Sequence, residues 1–426
     1  MKVLHICASD SGGAGIAARR LHLGLKLINI ESRMLVLSRA SSGADIEQYR
    51  EKNFIHKKVA KKISAKLVDL EFRNYKSIRP EGLTIFSDYR TGYSVSRHPL
   101  VREADIVHLH WVAGMVDYAD FFSNIGSKNI IWTLHDMNPF TGGCHYAGDC
   151  SKYKTACHSC PQLGAKRSSD LSKKIWNRKR GIYNGKKINI AAPSRWMADC
   201  ARASSLFGNF KIDVIPYGLP TSIFSKRDTD FSRDLLNLPK DKTIILFTAH
   251  SAADPRKGLS YLVRSLKHLE NKTHNYKFAL AIVGRGAPAH LENIGFACYP
   301  IGPVQDELLM SICYSAADIF VSPSLEDNFP NTILESMACG TPVVGFNIGG
   351  VPEMVKAEET GFLAQAGDTE DLAKKIEWMV DHPAETKAMG NIASQLVRKE
   401  YFLEAQARKY CELYSGMLNG TKKHGE

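Results

Sequence analysis

Long apolar runs are missing from this 426-residue sequence, in which no window approaches about 18 consecutive apolar residues. Residues 1–7 hold one basic residue and too short an apolar run for a signal peptide. Low-complexity tracts and internal repeats of solenoid period are also missing. We therefore expect neither a membrane-spanning, a secreted nor a repeat protein, and we predict a cytoplasmic location.

The composition is that of an ordinary globular chain, with 44% hydrophobic and 23% charged residues. The length is roughly two to three times a common domain size and predicts two domains. A formal net charge of +12 suits an anionic partner, which could be a membrane surface, nucleic acid or phosphorylated small molecules. Six of the ten cysteines are scattered through apolar segments, and in a reducing compartment disulfides are not expected.

Short β-rich runs alternate with longer helical segments in two series, which predicts βαβ units and two parallel sheets. The predicted strands are 3–7, 34–38, 105–110, 130–135 and 188–192 in the first series, and 243–248, 278–283, 297–301, 319–321 and 343–346 in the second. A Pro and a Gly within 214–218 predict the boundary between them. We expect an N-terminal Rossmann-like domain over 1–215, a C-terminal one over 216–398, and a last helix near 401–418 that returns to the first domain.

Residues 53–79 combine a lysine-rich face with an apolar repeat of four residues. Ile55, Val59, Ile63 and Leu67 are spaced for one face of an amphipathic helix, with five lysines between positions 57 and 66. One interpretation is an ordinary core stripe beneath a solvated lysine face. The other is a helix that docks on an anionic membrane surface.

A glycine-rich loop at 11–15 follows the first predicted strand. Such a loop lets backbone approach an anion or a sugar hydroxyl at a helix N-terminus, with Gly13 as the candidate contact. The same loop meets a G-x-G-x-x-A dinucleotide pattern through Gly13, Gly15 and Ala18, which leaves a nicotinamide enzyme open. The acid that this pattern requires at the end of the second strand is missing, because Arg39 stands there.

Two cations stand at a predicted strand-to-helix turn of the second series. Arg256 and Lys257 lie between Asp254 and Gly258, after the strand at 243–248. Arginine grips phosphate oxygens in a bidentate way and lysine adds a point charge, so both would neutralise charge on a departing diphosphate. A solvated loop pair is the alternative.

The segment 322–344, SPSLEDNFPNTILESMACGTPVV, holds Asp327, seven further residues and then Glu335 ahead of A-C-G-T-P-V-V. It resembles the E-x7-E region of the retaining glycosyltransferases of family 4, whose fold is GT-B: two Rossmann-like α/β domains with an interdomain cleft. The glycine loop, the strand-end histidines and the R-K-G turn extend the resemblance over nearly the whole chain. The resemblance therefore implies this fold and a glycosyltransferase.

The resemblance also implies which residues bind a nucleotide-sugar donor. Glu335 would hold the ribose and Asp327 the transferred sugar. Asp327 stands where the family usually has Glu, which leaves the neighbouring Glu326 as the alternative. The full implied set of donor contacts is Gly13, His250, Arg256, Lys257, Val304, Asp327, Asn328, Phe329, Pro330 and Glu335. His250 occupies the region where many members place an arginine that contacts diphosphate.

The catalytic groups implied by the resemblance are His135, Arg256, Lys257 and Asp327. His135, in T-L-H-D, matches a family histidine that faces the donor sugar, and His110 ends the adjacent strand; a structural role is the alternative for each. The implied reaction retains anomeric configuration and requires no cofactor or divalent metal. In a front-face transfer, the donor phosphate helps to deprotonate the acceptor hydroxyl.

Four cysteines lie within 17 positions, and these are Cys144, Cys150, Cys157 and Cys160. One C-x2-C pair with two further thiols can bind Zn²⁺ in a tetrahedral structural site, although the spacing is not that of a double zinc knuckle. Reduced unligated thiols, and a disulfide or redox role, are the alternatives.

Through T-L-H-D-M and the cysteine loop, the sequence is most similar to bacterial enzymes of exopolysaccharide, capsule or O-antigen assembly. This implies transfer of a hexose-type sugar to a saccharide or lipid-linked saccharide, peripheral attachment to the inner face of the membrane, and no nucleic-acid partner. A nucleotide-sugar epimerase of the same fold, a nicotinamide dehydrogenase and a noncatalytic carbohydrate-binding protein are the alternatives.

Overall fold

The computed structural model describes residues 1–51, 55–80, 85–270, 277–286, 291 and 294–422. The chain divides into two compact units. The first comprises Met1–Gly218 together with the chain from Gln406 onward, and the second comprises Leu219–Ala405. Each unit is built on its own parallel sheet, which confirms the predicted fold class of two Rossmann-like α/β domains.

The strands of the first unit are β1 (Lys2–Ser9), β2 (Glu31–Ser38), β3 (Ile46–Gln48), β4 (Ile106–Leu109), β5 (Asn129–Thr133), β6 (Ile188–Ala192) and β7 (Ile212–Val214). Within the described residues they form a seven-stranded sheet in the order β3-β2-β1-β4-β5-β6-β7. The sequence did not predict β3 and β7, which are three-residue strands at the two edges of the sheet. Because β1 pairs with both β2 and β4, the strand order reverses between β1 and β4.

The helices packed around this sheet are α1 (Gly12–Leu27), α2 (Ile55–Lys76), α3 (Pro99–Glu103), α4 (Tyr118–Asn124), α5 (Leu171–Tyr183) and α6 (Arg195–Ala203). Helix α1 starts directly after β1, because a glycine allows the close approach: a Cβ on Gly15 would lie 2.4 Å from the carbonyl oxygen of Ser9. The core beneath these helices is apolar and aromatic and includes Leu35, Leu109, Trp132 and Ile190.

The second unit contains strands β8 (Thr243–Ser251), β9 (Phe278–Arg285), β10 (Cys298–Gly302), β11 (Ile319–Ser322), β12 (Val343–Phe346) and β13 (Gly361–Ala364). In the described part of the chain they form a six-stranded parallel sheet in the order β10-β9-β8-β11-β12-β13. The order again reverses, here between β8 and β11. Parallel α/β sheets bind ligands beyond the carboxyl ends of the strands at such a reversal point.

The helices of the second unit are α7 (Thr229–Leu236), α8 (Leu259–Glu270), α9 (Glu307–Ala316), α10 (Asn331–Ala338), α11 (Val351–Met354), α12 (Thr369–Asp381) and α13 (Pro383–Glu400). Side-chain caps fix several of their starts; the Asp306 carboxylate, for example, accepts from the backbone N–H of Leu309 over 2.8 Å. The unit has its own core, to which Phe247, Leu280 and Val344 contribute.

The last helix, α14 (Leu403–Lys422), begins in the second unit and continues in the first. Its Tyr410 and Tyr414 are fully buried in a cluster with Val3, Ile106 and Ile131 of the first sheet. One face of the first sheet is therefore covered by α14.

Helix α2 exposes much of the face that the sequence assigned to a core stripe. Ile63 and Leu67 are 55% and 53% exposed, so the core-stripe interpretation is wrong for them, while Ile55 and Val59 have side chains outside the described residues. The helix packs instead through Val68 and its neighbours. Nowhere in the described ranges does a helix combine the length and apolar character that crossing a bilayer requires.

Candidate functional site

The turn that follows β8 is built around Gly258. Its φ of +76° lies in the left-handed region, and a Cβ there would lie 1.8 Å from the carbonyl oxygen of Pro323, so glycine is required. The backbone N–H of Leu325 donates to the carbonyl oxygen of Arg256 over 2.8 Å. These contacts hold the 3₁₀ turn Pro255–Lys257 against the segment that follows β11, at the reversal point of the second sheet.

Asp327 lies in the segment that follows β11 and is the anion that the two cations of this turn contact. The Lys257 ammonium donates to its Oδ2 over 2.5 Å, and Nη1 of Arg256 lies 3.6 Å from the same oxygen. Arg256 also donates to the carbonyl oxygen of Glu326 over 2.7 Å. The backbone N–H of Asn328 donates to the other carboxylate oxygen of Asp327 over 3.1 Å. The structure thus brings Arg256, Lys257 and Asp327, three of the predicted catalytic residues, into direct contact.

Asp327 is held ionised although its carboxylate is buried. Burial by itself would raise the pKa of Asp327, but the charges of Lys257 and Arg256, together with hydrogen bonds, outweigh burial and lower it. The Asp327 side chain is buried, whereas Glu326 beside it is half-buried. The carboxylate that faces the two cations is therefore that of Asp327.

Glu335 lies on α10 with a different partner. Its side chain is buried, and its Oε2 accepts a hydrogen bond from the Tyr314 hydroxyl over 3.0 Å. Burial, followed by the charge of Glu335, raises the pKa of Tyr314, so the phenol keeps its proton. Sequence reasoning missed Tyr314, because a single tyrosine inside a helical run carries no motif.

The other predicted donor residues of the second unit differ in their exposure to solvent. Asn328 and Phe329 are buried. Pro330 immediately precedes α10 as its N-cap residue. Val304 follows β10 and is half-buried, and His250 is exposed on β8.

The predicted glycine-loop contact, Gly13, lies in the first turn of α1 and is exposed. Gly12 before it has a φ of +71°, a conformation that favours glycine. The loop is anchored by the Asp10 carboxylate, which accepts from the backbone N–H groups of Ala40 and Ser41 over 2.7 and 2.9 Å. The N-terminus of α1 therefore meets solvent at the carboxyl end of β1, the position that the sequence predicted for an anion or hydroxyl.

His135 follows β5 and is bonded through both ring nitrogens. Its Nε2 lies 3.0 Å from Nδ1 of His110, and its Nδ1 lies 2.7 Å from the Tyr217 hydroxyl. Burial lowers the pKa of His135 to about 4, with the charge of Asp136 acting in the opposite direction. His135 is therefore a neutral imidazole at pH 7, in direct contact with the other strand-end histidine that the sequence singled out.

Asp136 organises the loop that follows β5. Its Oδ2 accepts hydrogen bonds from Nδ1 of His145 over 2.6 Å and from Nε1 of Trp111 over 2.7 Å. Burial opposes its ionisation, but His145 and the other donors lower the pKa of Asp136. Nε2 of His145 lies 2.8 Å from Oγ of Ser87. Sequence reasoning missed His145, which it treated only as part of the cysteine loop.

The four clustered cysteines are Cys144, Cys150, Cys157 and Cys160. All four are free thiols, and burial raises the pKa of Cys157 to about 12 and that of Cys160 to about 11. Within the described part of the chain, three metal-ligating atoms lie within 4.8 Å of one another only at His5, His108 and His110. Zinc at the four cysteines stays a prediction from the sequence.

Residues 242–382 match the family model described as Glycosyl transferases group 1. This segment, less than half of the chain, contains Arg256, Lys257, Asp327 and Glu335. All of the predicted donor residues except Gly13 therefore fall in the part of the second unit for which the comparison indicates a glycosyltransferase.

Curated relatives match the chain over part of its length. The D-inositol 3-phosphate glycosyltransferase of Rhodococcus opacus (strain B4) is 27% identical over 190 residues, which cover 42% of this chain and 42% of that protein. The D-inositol 3-phosphate glycosyltransferase of Acidothermus cellulolyticus is 32% identical over 186 residues, 40% of this chain and 41% of that protein. The chain spans about half the length of the curated relatives it matches.

Solved structures share the fold over nearly the whole chain. Sucrose-phosphate synthase from Thermosynechococcus elongatus superposes with a TM-score of 0.69 at 19% identity, covering 99% of this chain and 100% of that one. Anabaena HepE in complex with UDP-glucose gives a TM-score of 0.66 at 16% identity, covering 98% and 100%. At such identities the likeness shows the fold, which is that of GT-B glycosyltransferases.

Proposed function

We propose that the chain is a retaining glycosyltransferase that moves a hexose-type sugar from a nucleotide-sugar donor to a saccharide or lipid-linked saccharide. The observation that carries the proposal is the contact of Lys257 and Arg256 with Asp327 at the reversal point of the second sheet, inside the segment that matches group 1 glycosyltransferases. The solved structure of HepE in complex with UDP-glucose supports a nucleotide-sugar as the ligand class.

In this proposal the donor diphosphate binds beside Arg256 and Lys257. Both cations are held by the turn around Gly258, so little rearrangement is needed when the anion arrives. Negative charge grows on the leaving diphosphate as the glycosidic bond breaks, and two fixed cations stabilise that charge more than they stabilise the ground state. The turn therefore takes the role that a divalent cation has in other glycosyltransferases.

Two carboxylates would bind the hydroxyl groups of the donor. Asp327, ionised and buried, accepts from the transferred sugar, and Glu335 accepts from the ribose while Tyr314 holds its Oε2. The remaining donor contacts that we propose are Gly13, His250, Val304, Asn328, Phe329 and Pro330.

The first unit would present the acceptor, with His135 facing the donor sugar. His135 is neutral and so supplies hydrogen bonding without charge. The proposed transfer is front-face, with the donor phosphate accepting the proton of the acceptor hydroxyl. We place the reaction in the assembly of a surface polysaccharide. The curated relatives are named for D-inositol 3-phosphate, which is therefore the acceptor to compare with saccharides.

Attachment to an anionic membrane surface is part of the proposal, and helix α2 supports it. Ile63, Leu67 and Leu70 are 55%, 53% and 56% exposed and repeat at i, i+4 and i+7, so they share one helix face. Lys62 and Lys66 are exposed beside them. An apolar face flanked by lysines can insert between lipid headgroups while the ammonium groups meet anionic lipids.

A binding and transfer screen tests the function. Thermal shifts with UDP-, GDP- and ADP-sugars identify the donor, and product analysis with saccharide, lipid-linked saccharide and inositol phosphate acceptors identifies the reaction. NMR of the product should show the anomeric configuration of the donor. Release of an altered nucleotide-sugar without acceptor, absorbance change of a nicotinamide cofactor, or sugar-polymer binding without turnover would each contradict the proposal and identify one alternative.

A matched pair of variants ties the reaction to the site. Glu335→Gln keeps the size of the buried side chain but removes its charge, and hydrogen bonds to charged groups contribute roughly 1.5–3 kcal/mol, so donor affinity and transfer should fall by tenfold or more. Glu359→Gln makes the same change at an exposed position of the same unit and should leave both unchanged. Wild-type activity in Glu335→Gln would remove the ribose assignment.

A further inference from the structure

A chain of hydrogen-bonded rings crosses the first sheet, and we refer to its members, His5, His110, His135 and Tyr217, as the ring chain. Nδ1 of His5 lies 2.9 Å from Nε2 of His110. The other ring nitrogen of His110 bonds to Nε2 of His135, and Nδ1 of His135 bonds to the Tyr217 hydroxyl. The ring chain thus runs from β1, inside the sheet, to the carboxyl edge of the first sheet, where His135 lies.

Each imidazole of the ring chain is neutral. Burial, with smaller effects of neighbouring histidines, lowers the pKa of His5 and of His110 well below the usual value, and burial also lowers that of His135. A neutral imidazole carries one proton on one of its two nitrogens. Because each link of the ring chain holds one proton, the tautomer of one ring determines the tautomers of the others. The protons all point towards Tyr217 or all towards His5.

The inner end of the ring chain distinguishes these two states. Nε2 of His5 is buried and has no hydrogen-bond partner among the described residues. Protons that point towards His5 would leave an N–H on this nitrogen, whereas protons that point towards Tyr217 leave only a lone pair. Buried N–H groups without a partner are rarer than unsatisfied acceptors. The favoured state therefore places the proton of His135 on Nδ1, where it donates to Tyr217.

The ring plane of His110 is also fixed. His108 stacks against it with ring centroids 4.1 Å apart and an interplanar angle of 26°. His108 is itself held at both nitrogens, which lie 2.7 Å from the hydroxyl oxygens of Tyr414 and Thr133. His110 therefore packs against a ring that two hydrogen bonds keep in place.

We propose that His110, backed by His5, is a positioning residue that fixes the tautomer and the ring plane of His135. The inference rests on the proposed function, in which His135 faces the donor sugar. A ring whose proton is already placed needs no reorganisation when a sugar hydroxyl arrives, and such preorganisation is what a polar catalytic site requires. His110 touches no substrate in this scheme and acts only through His135.

Nitrogen NMR on the protein without ligand tests the coupling directly. With ¹⁵N-labelled histidine, His135 should show a single tautomer protonated on Nδ1. His110→Phe keeps a ring but removes both links, and His135 should then lose its fixed tautomer. His110→Asn places an amide donor near the position of Nδ1 and should restore it. His98→Phe, at a half-buried histidine of the first unit that packs against Tyr49 outside the ring chain, is the control and should change nothing.

Kinetics then test the positioning role. Loss of a partner that orients a histidine typically lowers activity by about tenfold or more, so kcat should fall by that factor in His110→Phe while the donor KM changes little, and His110→Asn should recover most of it. His5→Phe should give a smaller loss of the same kind and serves if His110→Phe does not fold. An unchanged tautomer in a folded His110→Phe overturns the inference, and so does a changed tautomer with unchanged turnover.

Two further outcomes separate this inference from others. Stoichiometric metal bound by His5, His108 and His110, whose ligand atoms lie within 4.8 Å of one another, would overturn the ring chain, because metal ligation displaces those protons. A protein in which the tautomer coupling is present, but which transfers no sugar from any nucleotide-sugar, would instead contradict the proposed function and the positioning role that rests on it.

Discussion

The ammonium of Lys257 donates to the carboxylate of Asp327 over 2.5 Å, so the two charges neutralise each other at the reversal point of the second sheet. In the proposed function, a diphosphate that binds there would add a second anion to Lys257 and would not have to recruit a distant cation. The ion pair would therefore keep the Lys257 ammonium in position between turnovers of the proposed reaction.

Removal of this cation should affect turnover more than binding. In Lys257→Ala we expect kcat to fall by about 10²–10³, a loss comparable with that of one oxyanion-stabilising donor, and donor affinity to fall by less. Calorimetry measures the affinity and single-turnover kinetics measure the chemical step. Lys267→Ala, at an exposed lysine of α8, is the control and should match the wild type. Equal losses in affinity and in turnover would show that Lys257 only binds the donor.

Tyr314 should act on the donor through Glu335. Tyr314→Phe removes one hydrogen bond to a charged group, and we expect donor affinity to fall by about tenfold. A nucleoside diphosphate without the ribose 2′- and 3′-hydroxyls should bind the variant and the wild type equally. Tyr299→Phe on β10 is the control. A loss of affinity that persists with the dideoxy nucleotide would place the effect of Tyr314 outside the ribose contact.

Helix α2 should give salt-sensitive binding to anionic vesicles. Replacement of Ile63, Leu67 and Leu70 by Ser should abolish co-sedimentation with phosphatidylglycerol-containing vesicles, since it removes the inserting face, while binding to neutral vesicles should be weak for all forms. Ile392→Ser makes the same change at an exposed isoleucine of α13 and should have no effect. Wild-type protein that stays in the supernatant at low salt would leave α2 without a membrane role.

The buried histidines should make the protein sensitive to mild acid. The pKa values of His22 and His135 are lowered to about 4 in the folded state, so between about pH 6.5 and 4 the unfolded chain binds more protons. Stability is therefore fully present above pH 6.5 and falls as the pH drops through this range, by about 1.4 kcal/mol per pH unit for each such histidine.

Urea unfolding at pH 7.5, 6.5 and 5.5 measures this slope in a range where carboxylates hardly titrate. The slope of the free energy of unfolding against pH measures how many more protons the unfolded chain binds, and His22→Phe should reduce that number by about one. A free energy of unfolding that does not change between pH 6.5 and 5.5 would mean that these histidines take up protons equally in the folded and the unfolded chain.

The zinc prediction has a direct test. Protein purified without a chelator or a metal-affinity tag should contain about one equivalent of zinc if the four clustered cysteines bind it, and X-ray absorption should show thiolate ligands. Chelation should then impair acceptor use before it weakens nucleotide binding. If the protein is metal-free and fully active, the four cysteines are protonated thiols that have only a packing role. Burial favours this state because it raises the pKa of Cys157 and Cys160.

The sequence predicted the sheets well where strands are long and buried. The strands predicted at 188–192 and 343–346 agree with β6 and β12 residue for residue. An apolar run between turn residues is typical of a strand that is buried on both faces, and this made them easy to recognise. The edge strands β3 and β7 were missed, since three residues with mixed burial carry too little pattern. The pattern on α2 was recognised, but periodicity alone does not tell an exposed apolar face from a buried one.

Within the site, local motifs were informative and long-range partners were not. The R-K-G turn and the acid at 327 were both singled out, but their contact depends on two loops that lie about 70 residues apart in sequence. Tyr314 and His145 were missed for the same reason, because each acts through a hydrogen bond to a residue that is distant in sequence. The ring chain could not be predicted, because it requires the register of neighbouring strands.

The C-terminal helix has a consequence for how the chain is made. Tyr410 and Tyr414 of α14 complete the core of a unit whose sheet begins at residue 2. During synthesis the second unit emerges as one continuous segment, whereas the first unit lacks its covering helix until α14 has been translated. The first unit therefore matures last although it is translated first. Until then, the apolar face around Val3, Ile106 and Ile131 lacks the two tyrosines that pack against it in the fold.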